Sequence, residues 1–205
     1  MKRIGLLGGA FNPPHQGHLR LAELALAHLD LDELRFVPTA LSPHKADPGG
    51  PDAAARLRLL TEALAGGDPR CRIDTSELER GGASYTVDTL EALTQREPGA
   101  QWILLMGSDQ LPGLPQWRRV ERVFQLASAA VALRPGTPFQ VPDLPGLRSV
   151  ATWSGAPGEI AALPATELDL ASSDLREQLH SAPQEDPVGL PPQVLGTIRT
   201  ENLYR

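Results

Sequence analysis

A strand of buried type, Arg3-Ile4-Gly5-Leu6-Leu7, leads within a few residues into a broad apolar helix face made of Leu19, Leu21, Ala22, Leu24, Ala25, Leu26 and Leu29. A strand apolar along its length needs cover on both faces, the condition met in a parallel sheet layered between helices. Between the two lie Gly8-Gly9, which lets backbone come close to a ligand, and Asn12-Pro13-Pro14, which keeps the helix from starting early. His15 and His18 therefore fall where strand becomes helix. In an open parallel sheet that junction sits at the carboxyl end of a strand, where ligands bind, and the free N–H groups of the helix start attract anions. The junction reads as a phosphate site.

The same alternation continues. Leu34–Val37 reads as a strand stopped by Pro38, Ala53–Leu64 as a helix with Gly66-Gly67 as its stop, and Arg72–Asp74 as a weaker strand. Thr86–Arg96 follows as a helix, Gln101–Met106 as a buried strand, Gln116–Leu126 as a helix and Ala129–Leu133 as a strand. From Pro135 to Pro164 the chain is rich in Pro and Gly and is expected to run as loops near the sheet edge, with a possible strand at Arg148–Thr152. Glu167–Leu170 reads as a last short strand, Asp174–Leu179 as a helix, and Pro191–Leu203 as a closing helix with two prolines at its start. The expected class is α/β, an open, mostly parallel sheet with helices on both faces, in a single domain over 1–205. A second unit of about 50 residues after the Pro/Gly stretch would be small for independent folding.

With 19 basic and 25 acidic residues the net charge is −6, which argues against a general nucleic-acid binder working by bulk phosphate neutralisation. An anionic substrate must be met by a local cluster. Cys71 is the sole cysteine, so no intrachain disulfide is possible and a reducing cytoplasm is the expected location. The opening Met1-Lys2-Arg3 and the apolar run after it lack a small-residue cleavage site, so export is not expected. The strongest apolar run, Trp102–Met106, is far short of the ~18 residues a membrane span needs, so no membrane partner is expected.

His15-x-x-His18 alone has three readings, a phosphate contact, a metal site or simple packing at a helix start. A zinc site would want a third ligand, and His28, His44 and His180 are scattered, so no metal ligand set is assigned. Ser42-Pro43-His44-Lys45 follows the second strand, where Lys45 can reach the same phosphates as a mobile charge or stand in solvent. Ser84-Tyr85-Thr86 opens a helix, either as ordinary capping or as a carboxylate site on backbone N–H groups. Gly107-Ser108-Asp109 ends the most apolar strand, where Asp109 can bind a ribose or cap the next turn. Trp117, in Leu114-Pro115-Gln116-Trp117, is a core residue by default but can stack on a heteroaromatic ring, a cationic one best. Arg118 beside it can add charge or lie in solvent. Ser172-Ser173-Asp174-Leu175-Arg176 starts a helix: Ser173 or Asp174 can be a plain N-cap, or hydroxyls, N–H groups and guanidinium can converge as a phosphate clamp.

Taken whole, Gly8 to His18 with its G-x-F-x-P-x-H-x-G-H pattern resembles the signature of the nucleotidylyltransferase superfamily. Together with SPHK, SYTVDTL, GSD, LPQW, Arg134-Pro135 and SSDLR, in that order over nearly the whole chain, it resembles the bacterial nicotinate-nucleotide adenylyltransferases. The resemblance implies a Rossmann-like fold and transfer of the adenylyl group of ATP to nicotinate mononucleotide, with Mg²⁺ accompanying ATP. It implies that His15, His18, Lys45 and Arg176 are catalytic and that Gly8, Gly9, Ala10, Phe11, Gly107, Ser108, Asp109, Arg134, Ser172 and Ser173 join His15, His18 and Arg176 around ATP. Lys45, Ser84, Tyr85, Thr86, Trp117 and Arg118 are implied to bind the nicotinate nucleotide. The oligomeric state is left open. The chain departs from the family pattern at Ala10, Asn12 and Ala171, where Thr, Asp and Ser are frequent, so a hydroxyl is missing near each phosphate-binding end. Two other readings stand beside this one, a related transferase with another acceptor such as phosphopantetheine, and a nucleotide-binding sensor without turnover.

Overall fold

The computed structural model describes residues 1–42, 50–165 and 170–204. Among them, β1 (Arg3–Gly9), β2 (Glu33–Pro38), β3 (Cys71–Ile73), β4 (Gln101–Gly107), β5 (Ala127–Ala132), β6 (Arg148–Ser149) and β7 (Glu159–Leu163) form one sheet. Its order is β3-β2-β1-β4-β5-β7-β6, and every neighbouring pair is parallel. The chain steps outward from β1 through β2 to β3 and then returns to the other side of β1 at β4. The point where that direction reverses lies between β1 and β4, and the crevice beyond their carboxyl ends is where sheets of this kind bind ligands. The expected Rossmann-like sheet is the one found.

The strands carry period-two burial to both faces. On β4, Trp102, Leu104 and Met106 join a core with Val87, Leu90 and Leu93 of α4 (Thr86–Arg96) and Val123 and Phe124 of α5 (Val120–Leu126). Ile103 and Leu105, one residue out of step, pack on the other face with Leu21, Ala22, Ala25 and Leu26 of α1 (Gln16–His28). A β-strand sends neighbouring side chains to opposite faces, so an unbroken apolar run requires this two-sided cover. A third cluster joins Leu59 and Ala63 of α2 (Ala53–Leu64), Leu175 and Leu179 of α6 (Ser172–Ser181), and Val194, Leu195 and Ile198 of α7 (Pro192–Thr200). It anchors the last two helices beside the carboxyl end of β1.

Helices α2 and α4 have the bounds their patterns predict. Three regions differ. The helix expected over Gln116–Leu126 starts only at Val120, as α5, after Arg119 at φ +48, and Gln116 instead closes a 3-10 helix over Ser108–Gln116. Pro112 and Pro115 remove two N–H donors from that stretch and forbid a regular α-helix through it. Trp117 thus lies between two helices instead of starting one. The expected loop through Pro164 contains β7, the neighbour of β5. Its sequence, Glu-Ile-Ala-Ala-Leu, is poor in the β-branched residues that announce a strand, and Glu159 at its start accepts from the N–H groups of Ser154 and Gly155. A five-residue helix, α3 (Ser76–Arg80), was too short to leave a periodic signal. The strand expected at Arg148–Thr152 covers only Arg148–Ser149, and of the one expected at Glu167–Leu170, residues 167–169 lie outside the described residues while Leu170 belongs to no strand.

Candidate active site

The two histidines of the first junction form a reciprocal cap on α1. His15 is its N-cap, with Nδ1 accepting from the Gly17 N–H at 3.1 Å, while the His15 N–H donates to Nδ1 of His18 at 3.2 Å. The rings stack at a tilt, with 3.8 Å between centroids and 34° between planes. An imidazole that accepts at Nδ1 carries its proton on Nε2, so the bonding assigns both rings to the neutral Nε2–H tautomer. Burial, with the charge of Arg134 as a lesser cause, lowers the His15 pKa to about 4. At neutral pH, His15 is an uncharged donor. Gly17 permits this cap by close approach, since a Cβ there would lie 2.9 Å from His15 Nδ1.

Between β1 and α1 the chain forms a tight loop, Ala10–Pro13, with a cis Asn12–Pro13 bond. Phe11 holds φ +47, the left-handed region, and its ring packs against His18 and Phe36. That conformation costs a non-glycine residue roughly 1 to 2 kcal/mol, against the roughly 1.5 to 3 kcal/mol that burying a Phe side chain contributes. The buried ring holds the strained backbone. Arg176 Nη1 donates to the Asn12 carbonyl at 2.8 Å, and Ser172 Oγ to the Pro13 carbonyl at 3.1 Å. Both come from α6, whose N-cap is Ala171 and has no side-chain cap, so neither Ser173 nor Asp174 fills that position. Ser173 Oγ instead donates to Asp174 Oδ1. The first turn of α6 thus brings N–H groups, a hydroxyl and a guanidinium against the loop that leads into the histidines.

Across the crevice, at the ends of β4 and β5, Arg134 Nε pairs with Asp109 Oδ1 at 3.1 Å, and the Arg134 N–H donates to the buried Ser108 Oγ. Asp109 folds back over Gly107, where any Cβ would run into its carboxylate. This group stands on the far side of β1 from the start of α4. There, the Ser84 Oγ accepts from the Ala40 N–H, tying that start to the end of β2. Tyr85 is the N-cap without a side-chain bond, which leaves the first N–H groups of α4, including that of Thr86, without a side-chain partner from it. The Arg118 guanidinium lies 4.7 Å over the Tyr85 ring and 3.3 Å from Asp88, and Arg119 pairs with the same carboxylate. Arg119 also pairs with Glu91, which Arg122 reaches in turn, so three guanidiniums meet two carboxylates in this corner. Trp117 is half-buried against the core beneath it.

The sheet therefore gathers Gly8 to Phe11, His15, His18, Ser172, Ser173 and Arg176 at the end of β1, and Gly107 to Asp109 with Arg134 beside them. Ser84 to Thr86, Trp117 and Arg118 form a second corner. Lys45, with the rest of 43–49, lies outside the described residues. Two contributors to the β1 loop were not singled out from the sequence, Arg56, which donates to Ala10, Thr39 and Ala40 carbonyls, and Tyr204, which donates to Asn12 Oδ1. Arg56 did leave a signal, because it falls on the buried stripe with Leu59, Leu60 and Ala63, where a charge is out of place.

A parallel sheet with a glycine loop, a histidine-capped helix and a second open helix start at one switch point defines a nucleotidyltransferase of the cytidylyltransferase-like kind, and the sequence model of that family matches residues 6–178. A probable nicotinate-nucleotide adenylyltransferase of Bordetella avium is 39% identical over 205 residues, covering 100% of this chain and 99% of its own. One from Synechococcus sp. strain JA-3-3Ab is 39% identical, over 99% and 95%. The chain belongs to the nicotinate-nucleotide adenylyltransferase family. The fold is also that of the Plasmodium falciparum nicotinic acid mononucleotide adenylyltransferase solved with NaAD, at TM-score 0.74 and 17% identity over 100% of this chain and 98% of that one.

Proposed function

We propose that this chain joins ATP to nicotinate mononucleotide, releasing pyrophosphate and forming deamido-NAD. The observation that carries the reading is the pair of neutral, Nδ1-anchored imidazoles stacked at the start of α1, opposite the uncapped start of α6. An oxygen of the acceptor's phosphate attacks the α-phosphorus in line. The new P–O bond forms as the bond to the bridging oxygen of the β-phosphate breaks, and that oxygen leaves with its electron pair in pyrophosphate. A phosphate is already a nucleophile, so catalysis consists of positioning and charge stabilisation.

In this reading the backbone of Gly8, Gly9, Ala10 and Phe11 approaches the triphosphate, and His15 and His18 donate from Nε2 to its oxygens. Arg176, Ser172, Ser173 and the first N–H groups of α6 hold the leaving phosphates, and Lys45 adds charge. Gly107, Ser108, Asp109 and Arg134 meet the adenosine, Ser108 by fixing the Arg134 backbone. The residues present suit a Mg²⁺ ion that arrives on ATP, since no group of three or more His, Cys, Asp or Glu side chains converges among the described residues. Such an ion would neutralise charge on the departing pyrophosphate. A single domain is supported by the one sheet around whose strand ends the described parts of the site gather, and a cytoplasmic location by the lone Cys71 and the use of ATP.

The start of α4, Ser84 to Thr86, with Trp117 and Arg118, receives the nicotinate. Its carboxylate suits the first N–H groups of α4, which Tyr85 leaves without a side-chain cap, in a corner with an excess of guanidiniums, whereas an amide would set its NH₂ donors against them. Leaving such groups unpaired costs roughly 1 to 3 kcal/mol each, so the acid should be preferred over its amide at least about tenfold in kcat/KM. Pyrophosphate release with each acceptor, at saturating ATP and Mg²⁺, measures it. Release with both acceptors at equal efficiency would remove the carboxylate from the recognition, and no release with either would end the reading.

A further inference from the structure

We propose that Arg56 and Tyr204 are positioning residues for adenylyl transfer, holding loop Ala10–Pro13 in shape from the side away from the substrate. The proposal rests on the reading above. Four oxygens of that loop accept bonds from outside it. Arg56 Nη1 takes the Ala10 carbonyl at 2.7 Å, Arg176 Nη1 the Asn12 carbonyl at 2.8 Å, Tyr204 Oη the Asn12 Oδ1 at 2.7 Å, and Ser172 Oγ the Pro13 carbonyl at 3.1 Å. Ser172 and Arg176 belong to the phosphate-binding helix start. Arg56 and Tyr204 do not, and they come from α2 and from the segment beyond α7.

What each does follows from peptide geometry. The Ala10–Phe11 peptide is planar and trans, so its C=O and N–H point to opposite sides. Fixing the Ala10 carbonyl on Arg56 turns the Phe11 N–H away from α2 and holds the left-handed turn of Phe11. A backbone in a sparsely populated region persists only where its surroundings over-determine it. The same guanidinium reaches Thr39 O at 2.8 Å and Ala40 O at 3.3 Å, so one side chain ties the end of β1 to the end of β2. An apolar side chain would suit the stripe of α2 better than a charge does, and Arg56 is only 7% exposed. The loop geometry is what the charge supplies. Tyr204, 9% exposed, packs with α2, α6 and α7, and burial keeps its phenol protonated as a donor. Through it the third core cluster sets Asn12.

Tyr204→Phe removes one donor and leaves the ring. Arg56→Lys keeps the charge but loses the planar fork whose two nitrogens take the Ala10 and Thr39 carbonyls. Ile198→Val, in the same cluster as Tyr204, is the control for loss of packing alone. Pyrophosphate release is measured together with calorimetric binding of a non-hydrolysable ATP analogue with Mg²⁺, which needs no acceptor, and with thermal melting. We expect kcat to fall roughly tenfold or more in Arg56→Lys and about threefold to tenfold in Tyr204→Phe, the scale of losing a hydrogen bond at a buried group. The KM for nicotinate mononucleotide should stay at its wild-type value, and Ile198→Val should keep wild-type kcat even where its melting temperature drops as far. Wild-type kcat and analogue affinity in both variants, beside an active wild type, would overturn the proposal and leave the reaction standing. A rise in acceptor KM with unchanged kcat would overturn it too. A wild type that neither binds the analogue nor releases pyrophosphate would end the reaction reading, and this proposal with it.

Discussion

The two ends of the crevice are built differently. At the end of β1 the polar groups, the exposed Ser173 apart, are buried or half-buried and held by hydrogen bonds: His15 is 2% exposed, its Nδ1 is fixed by a backbone N–H, and the loop before it is gripped at four oxygens. At the start of α4 the charges stand in water, with the Arg118 side chain 53% exposed and Asp88 shared between two arginines. Exposed pairs of that kind contribute about 0 to 1 kcal/mol. The contrast matches the tasks assigned to the two ends. A reacting triphosphate needs donors fixed before it arrives, because reorganisation during the reaction raises the barrier. A ring that only has to be seated can be met by a stacking face and the N–H groups of a helix start without a side-chain cap.

The sharpest way to break this comparison is to remove a fixed donor. His18→Ala should fold, since the loss of a capping-box partner costs only about 1 kcal/mol, while turnover drops by roughly 10² or more. Near-normal pyrophosphate release from a folded His18→Ala protein would take the histidine pair out of catalysis. A change at the other end should instead act on binding. Trp117→Ala should weaken nicotinate mononucleotide by roughly 1 to 3 kcal/mol and leave ATP affinity nearly unchanged. Because Trp117 is half-buried against the core, a large fall in melting temperature with unchanged acceptor KM would make it a packing residue.

The last effect is one of acidity. His15 titrates near 6.5 when unfolded and at about 4 when folded. Between those values the unfolded chain binds the extra proton, so the contribution is complete above about pH 6.5 and is lost as pH falls toward 4. Urea unfolding of the wild type at pH 7 and pH 4.5 should therefore show a larger loss of stability than His15→Asn, in which an amide keeps the N-cap without titrating. Equal losses would mean that His15 is not held neutral by the fold.

Much of the phosphate end could be read from residues in a row. The strand, the glycines, the prolines and His15-x-Gly17-His18 lie within one short stretch, and their spacing alone places them at a strand-to-helix junction. Gly17 was legible as part of a motif, but its reason, room for the His15 ring, appears only in three dimensions. The acceptor end was less legible. Trp117 reads as a helix start from its neighbours, yet Pro112, Pro115 and the left-handed Arg119 put it between helices. Strand β7 gave little signal because Ala161 and Ala162 owe their place to the cover of the sheet and not to a preference of their own.

The sequence by itself determined the alternation of strands and helices, the parallel sheet, the first junction and the order of the motifs, because hydrophobic period and helix punctuation are local properties. Only the tertiary structure decided which distant residues meet. It brought Arg56, Arg176 and Tyr204 to one loop, set Arg134 near His15 to help keep it neutral, and placed Arg118 over Tyr85. Those contacts cross up to 192 residues of chain, and no local pattern encodes them. They arise from the order of the strands and from the packing of α2, α6 and α7 into one apolar cluster, which fixes where each polar tip ends.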